Sequence, residues 1–398
     1  MVDPTTLATL LVAGGASFFM AWAIGAGSSG STPFAPAVGA NAISVMRAGF
    51  IVGLLGLAGA VLQGANVSEA VGRELIGGVT LSPVAATVAL LTAAALVAAG
   101  VFRGYPIATA FTVTGAVVGV GLALGGSPAW AKYQEIVTLW VLVPFIGGGT
   151  AYGTARLLRN ESVPEVAAVP ALAGLVGVIL ANVEFVFLGP AGEAASLTAA
   201  ATTATGESRL LVTVVGSLLA ALFVGGLVAQ MMRRDEAQGQ QRFLLALGGL
   251  VAFSAGGSQV GLAIGPLLPL LDPSPFAFAI PLVAMLVFGG LGLLVGSWTG
   301  APRMIKALAQ DYSSLGPRRS IAALIPSFAI AQTAVFFGIP VSFNEIIVSA
   351  IIGSGYAAGD GDVSRTKMAY TVLAWIGSLA LALGVGYAGY TGVTALLG

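Results

Sequence analysis

Four hydroxyl side chains, Ser28, Ser29, Ser31 and Thr32, stand among glycines in the stretch 25–40. Hydroxyls, and backbone N–H groups left open beside glycine, can donate hydrogen bonds to the oxygens of an anion. A weaker copy lies at 255–268, where Ser258 and Gln259 follow Gly256 and Gly257. A second kind of motif turns on proline. At 104–121, Pro106 is followed by Thr109 and Thr112, and at 338–355, Pro340 is followed by Ser342 and Asn344. Such residues start and cap helices, and the N-terminus of a helix is where an anion sits. The bland alternatives are capping alone, or hydrogen bonding between helices by small polar side chains. Glu345 adds an ionisable group in an apolar segment. A carboxylate there is costly without a partner, which points to a coupling cation or a coupled proton. Gln259 and Ser29 are further candidate ligands for a coupling ion. Glu184 is a second carboxyl near a segment end, where it can reach water.

The elements that must position these groups are set by a composition that is 57% hydrophobic and 8% charged, too apolar for a chain solvated by water. The fold class expected is an all-α integral membrane protein whose partner is the lipid bilayer. Sixteen basic and sixteen acidic residues cancel, which gives no footprint for nucleic acid. The chain has neither Cys nor His, so thiolate and imidazole chemistry and the commonest metal ligands are excluded. No metal site and no cofactor is expected beyond a coupling sodium ion or proton. An intramembrane enzyme would need a base beside a serine, and no Lys lies within an apolar segment.

About twelve stretches are long enough to cross the hydrocarbon: 5–26, 48–65, 82–102, 106–126, 137–155, 163–188, 207–231, 243–271, 276–298, 321–337, 340–358 and 368–397. Some of these are broken or re-entrant half-helices by their Gly and Pro content. Basic residues at Arg156, Arg159, Arg233, Arg234, Arg242, Arg303, Lys306, Arg318, Arg319, Arg365 and Lys367 fall in loops of one side. The connections 189–206 and 272–275 hold no Lys or Arg. Retention of positive charge in the cytoplasm then places both termini outside a multi-pass cell-membrane protein, with Arg73 and Lys132 as exceptions. The N-terminus lacks a basic region before its apolar run, so the first segment reads as a retained helix. Arg73 has the spacing of a surface ion pair with Glu69 and Glu74, and the five Trp residues read mostly as interfacial anchors.

Each motif pair is offset by about 230 residues, which makes one internal repeat. Equivalent elements fall seven crossings apart, and an odd separation inverts the second copy. The organisation expected is a first inverted repeat over 1–160, linking segments and a basic loop over 161–242, and a second repeat over 243–398. Two inverted-topology repeats with broken helices at matching places point to a transporter whose site lies between them. An anion channel ranks below this, because channels show charge rings or a filter loop.

At these motifs the chain resembles the inorganic phosphate transporter family, which includes phosphate permeases and related sulfate permeases. The resemblance runs through both repeats. The family's Asn-Asp pair is replaced by Ser28-Ser29 and by Ser258-Gln259, and its Pro-Val-Ser signature stands intact at Pro340-Val341-Ser342, with Glu345 at a position the family gives to His or Gln. What the resemblance implies is a secondary active transporter, a cation-coupled symporter importing inorganic phosphate, with sulfate permease as the alternative. It also implies a possible homodimer.

Overall fold

The computed structural model describes residues 4–189, 194–271, 279–359 and 363–397. The connection 272–275, part of 189–206 and the start of the expected segment 276–298 lie outside the described residues. The helices are α1 (Pro4–Gly27), α2 (Ala35–Gly39), α3 (Val45–Gln63), α4 (Ala65–Arg73), α5 (Pro83–Arg103), α6 (Thr109–Ala123), α7 (Trp130–Leu158), α8 (Glu165–Asn182), α9 (Leu197–Thr205), α10 (Arg209–Arg234), α11 (Glu236–Ile264), α12 (Leu282–Thr299), α13 (Ala301–Gln310), α14 (Pro317–Phe336), α15 (Phe343–Tyr356) and α16 (Arg365–Leu397). A 3-10 turn, Gly265–Leu270, follows α11. Two short antiparallel pairs complete the inventory: β1 (Ile76–Gly77) with β2 (Ser127–Pro128), and β3 (Glu184–Phe185) with β4 (Ala195–Ser196).

Among the described residues ten helices are long and apolar enough to cross a bilayer. The protein is therefore a multi-pass membrane protein. Two of the twelve expected crossings are α6 and α15, of 15 and 14 residues. At 1.5 Å per residue each spans roughly 22 Å, short of the ~30 Å hydrocarbon. Local chemistry sets several boundaries. Ser82 starts α5 by accepting from the Ala85 N–H, with Pro83 in the first turn. Asp235 closes α10 and starts α11 by accepting from the Gln238 N–H.

Glycine lets four helix pairs approach closely. A Cβ at Gly59 on α3 would stand 1.7 Å from the Phe253 carbonyl oxygen of α11, and one at Gly256 of α11 would stand 1.9 Å from that of Gly56. In the same way α1 seats on α12, α6 on α16 and α7 on α15. With no hydrophobic drive between helices in lipid, this close contact is what holds them. Helices α1 and α11 run antiparallel: α12 runs along α1, with Gly292 by Phe18 and Gly296 by Trp22, and against α3, with Gly290 by Leu57 and Gly53 by Leu294, while α11 runs along α3. Between α1 and α11, Ser17 Oγ donates to the Ala263 carbonyl (2.9 Å) and Ser28 Oγ to Gln259 Oε1 (3.3 Å). Helices α8 and α10 stand against each other at the periphery, with Leu218, Leu222 and Phe223 of α10 exposed as a lipid-facing surface would be.

Two Trp residues correct the reading of all five as mainly interfacial. Trp140 and Trp375 are buried in the middle of α7 and α16, where their indole N–H groups have structural work. Trp130 and Trp298 are exposed near helix ends, as interfacial anchors are. Arg73 does pair with Glu69, at 2.9 Å, whereas Glu74 pairs with Lys132, at 2.8 Å.

Candidate functional site

The site is built where the chain stops being helical. Gly104 and Gly338 both adopt positive φ, 71° and 60°, a left-handed turn that other residues resist. Each is followed by an extended stretch through Pro106 or Pro340, and α6 and α15 then begin inside the protein: Thr109, Ser342 and Asn344 are all buried. The β1–β2 pair joins the loop before α5 to the loop after α6, so α6 returns to the side from which α5 left. The end of α15 likewise lies against Ser313, in the loop before α14, so α15 returns to the side from which α14 left.

An extended segment inside a membrane strands its carbonyls, and each must find a donor. Here matching carbonyls find matching donors. Trp375 Nε1 donates to the Pro106 carbonyl at 2.8 Å, and Trp140 Nε1 donates to the Pro340 carbonyl at 2.9 Å. One residue further on, Asn344 Nδ2 donates to the Ile107 carbonyl at 2.6 Å and Gln259 Nε2 to the Val341 carbonyl at 2.6 Å. Asn344 Nδ2 also reaches the Gly27 carbonyl at the end of α1, at 2.9 Å. The two amide side chains thereby tie the break after α1, the start of α6, the start of α15 and the middle of α11 into one unit.

Gln259 is the hub. Its Oε1 accepts from Thr109 Oγ1 at 2.8 Å and from Ser28 Oγ at 3.3 Å, and Thr109 and Ser28 lie 3.4 Å apart. All three residues are 0% exposed, so the structure is closed around this point. Ser29 is buried beside them in sequence. Ser31, Thr32 and Thr112 turn their hydroxyls back to local carbonyls, of Ser28 for the first two and Ala108 for the third, which is the bland use of such groups. Ser258 accepts from Gln259 Nε2 at 3.4 Å.

The starts of α6 and α15 carry no side-chain cap. Ala108 has nothing to offer at the first, and Ser342, at the second, makes no capping bond. The first helical bonds are donated only by Thr112 and Ile346. The amides before them keep partial positive charge, directed at the place where the two half-helices meet. Three polar atoms near these starts are buried without a partner: Ser342 Oγ, Asn344 Oδ1 and Glu345 Oε2. The arrangement presents amide and hydroxyl donors of the kind an anion takes, and a spare amide acceptor, Asn344 Oδ1. Glu345 stands apart: its carboxyl lines a separate cavity beside α7 and α16 and bonds to none of the hub residues. Among the described residues no three carboxylates cluster to hold a metal.

The phosphate transporter family matches residues 24–386, spanning both repeats of the motifs above. The chain belongs to the phosphate transporter family. A relative from Pyrococcus horikoshii, provisionally named as a phosphate permease, is 25% identical across 96% of each chain. The chloroplast inorganic phosphate transporter 2-1 of Arabidopsis thaliana is 24% identical over 90% of this chain and 68% of its own. A solved structure titled as the sodium-dependent phosphate transporter shares the fold, with a TM-score of 0.80 at 22% identity over 98% of this chain and all of the other. The family, and the relatives and solved structure matched, are transporters by their descriptions. Sequence reasoning missed Trp140 and Trp375 as parts of the site's frame. The signal was available, because each stands about 35 residues after its repeat's Pro, at Pro106 and Pro340.

A second polar group lies towards the other end of α3. Gln63 and Gln332 exchange amide hydrogen bonds at 3.3 and 3.1 Å, Gln332 Nε2 donates to Ser254 Oγ at 2.6 Å, and Gln63 Nε2 to the Glu184 carbonyl at 2.8 Å. They border a cavity that also receives Asn66, Asn182 and Glu184. Burial pushes the Glu184 carboxyl above the usual range, and the Arg209 charge partly offsets this. Nothing in the sequence marks Gln63 and Gln332 as partners.

Proposed function

We propose that the protein is a cation-coupled symporter that imports inorganic phosphate across the cell membrane, binding it where α6 and α15 meet. The reading is carried by one observation: two uncapped half-helix N-termini converge on a buried point that has a free hydroxyl, Ser342, and a free amide acceptor, Asn344 Oδ1. Amides and the hydroxyl donate to the anion's oxygens. The acceptor suits the P–OH of monohydrogen phosphate, which sulfate lacks, and a site with a buried acceptor rejects an analogue that leaves it unpaired. This favours phosphate over sulfate.

The residues that act in this proposal divide by position. Ser28, Thr109 and Gln259 close the site, Ser342 and Asn344 face the anion, and Ser29 with Gln259 Oε1 supplies oxygen to the coupling cation. Sodium is the cation preferred, by analogy with the neighbour whose title names it. The organisation proposed is two inverted repeats, 1–160 and 243–398, joined by 161–242, with twelve segments of which α6 and α15 are half-length. The antiparallel run of α1 and α11, and the matching of Trp375–Pro106 with Trp140–Pro340, support it. Both termini are placed outside, following the basic loops.

The test is uptake of radiolabelled phosphate and sulfate into proteoliposomes, with sodium and proton gradients imposed separately. Phosphate should accumulate under the sodium gradient, and Asn344→Leu should abolish accumulation. No uptake by folded protein, or accumulation of sulfate in preference to phosphate, defeats the proposal.

A further inference from the structure

Outside the proposed phosphate site, one unexplained feature is the cavity between α7, α15 and α16. Its volume is about 800 Å³, within the range of roughly 300–1,000 Å³ that organic ligands occupy. Its walls are aromatic, with Phe111, Trp140, Tyr152, Tyr356 and Trp375 among them, and no Lys or Arg lines it. Glu345 also lines it, with Oε2 buried and without a partner in a residue only 2% exposed. Two hydroxyls, Ser349 and Thr371, are the other polar side chains besides tyrosine, and Thr371 already bonds the Tyr312 hydroxyl at 2.8 Å.

A carboxyl held in such surroundings calls for a complement. A metal cation is poorly served, because hard cations take about six oxygen ligands and this wall presents too few. An ammonium group needs only the carboxylate, as an acceptor for its N–H, and is attracted to aromatic faces besides. The rest of the space is apolar and suits a hydrophobic body. The rim residues Val141, Phe145 and Ile376 belong to membrane-spanning helices and are exposed at 56%, 74% and 60%, so the mouth opens on the lipid side.

We infer that this cavity is a binding site for a lipophilic ammonium compound, admitted from the bilayer, which pairs with Glu345 and is enclosed by the rings of α6, α7 and α16. Glu345 lies in the first turn of α15, whose N-terminus is part of the proposed phosphate site.

The experiment uses the full chain in phosphatidylcholine nanodiscs, with 2-(2-naphthyl)ethylamine as probe and neutral 2-ethylnaphthalene as control, and reads binding by isothermal titration calorimetry with empty nanodiscs subtracted. The amine should saturate a site that the hydrocarbon does not, and Glu345→Gln, similar in volume, should weaken it at least tenfold. Gly149→Leu provides the second variant, since a side chain there meets no atom within 4 Å and projects into open space at the cavity wall. It should abolish saturation while the melting temperature stays near that of the parent. Repeating the titration with phosphatidylethanolamine in the discs separates sources: competition assigns the lipid's own ammonium, and its absence a free amine. Equal binding of amine and hydrocarbon, or unchanged amine binding in both variants, overturns the inference. Because binding is read without transport, its failure is distinct from failure of the phosphate proposal.

Discussion

Replacing Gln259 by Leu keeps the side chain's approximate size and removes every bond of the hub. Two groups then lose their shortest partner: the Val341 carbonyl, held at 2.6 Å, and the Thr109 hydroxyl, held at 2.8 Å. A buried polar group left unpaired costs about 1–3 kcal/mol in water-soluble proteins. Interhelical hydrogen bonds in membranes average only ~0.6 and reach ~1.7 kcal/mol, because the unfolded state in lipid also finds partners. Weighing the two, and noting that Thr109 keeps a contact to Ser28 at 3.4 Å, the variant should lose about 2–4 kcal/mol. A double-mutant cycle with Thr109→Val isolates one bond. Reversible unfolding in mixed micelles, followed by circular dichroism, should give a coupling of about 1–1.7 kcal/mol, near the upper end for a short bond at a fully buried position. Additivity within about 0.3 kcal/mol would refute the assignment of Gln259 as the hub.

Trp140→Phe and Trp375→Phe should each lower stability by about 1–3 kcal/mol, by orphaning the Pro340 and Pro106 carbonyls. The two should behave alike in melting and in phosphate uptake, and an effect confined to one would contradict their matched roles. Gly59→Ala should abolish folded protein on size-exclusion chromatography, because its Cβ would stand 1.7 Å from a backbone oxygen, whereas Gly14→Ala, with nothing within 4 Å, should be neutral or stabilising. Glu184 gives a pH dependence. Burial raises its carboxyl, so the stability it contributes is present below the ordinary value near 4.5 and is lost as pH rises through the raised one. Glu184→Gln should therefore gain in melting temperature relative to the parent as pH increases from about 4 to 8, and a constant difference would remove the effect.

Much of this architecture was legible because lipid imposes few solutions. Long apolar runs became helices, and the two Pro motifs became half-helix starts preceded by Gly104 and Gly338 in left-handed turns. The hydroxyl cluster was legible only as a group. Which member faces the hub depends on backbone direction after α1: Ser28 reaches Gln259, while Ser31 and Thr32 fold back on the Ser28 carbonyl. Asn344 read as an anion contact or a cap; its Nδ2 ties two breaks together, and its Oδ1 stays free. Trp140 and Trp375 misled because Trp is common at membrane interfaces, and only the need of a stranded carbonyl explains them in the interior. Glu345 read as a coupling group; one residue beyond Asn344, it is among the residues lining another cavity.

The close pairing of α1 with α12 and of α3 with α11 bears on how the chain is assembled. The ribosome delivers α1 and α3 long before their partners exist, so these helices must wait in the bilayer with their glycine faces open. A helix can wait there only if nothing on that face demands a partner, and Gly25, Gly56 and Gly59 demand none. Ser28 and Thr109, whose partner Gln259 is made later, can satisfy themselves on nearby carbonyls in the meantime. The proposed transport site is therefore among the last parts to form, completed when the C-terminal helices slide into spaces that the first half has kept vacant.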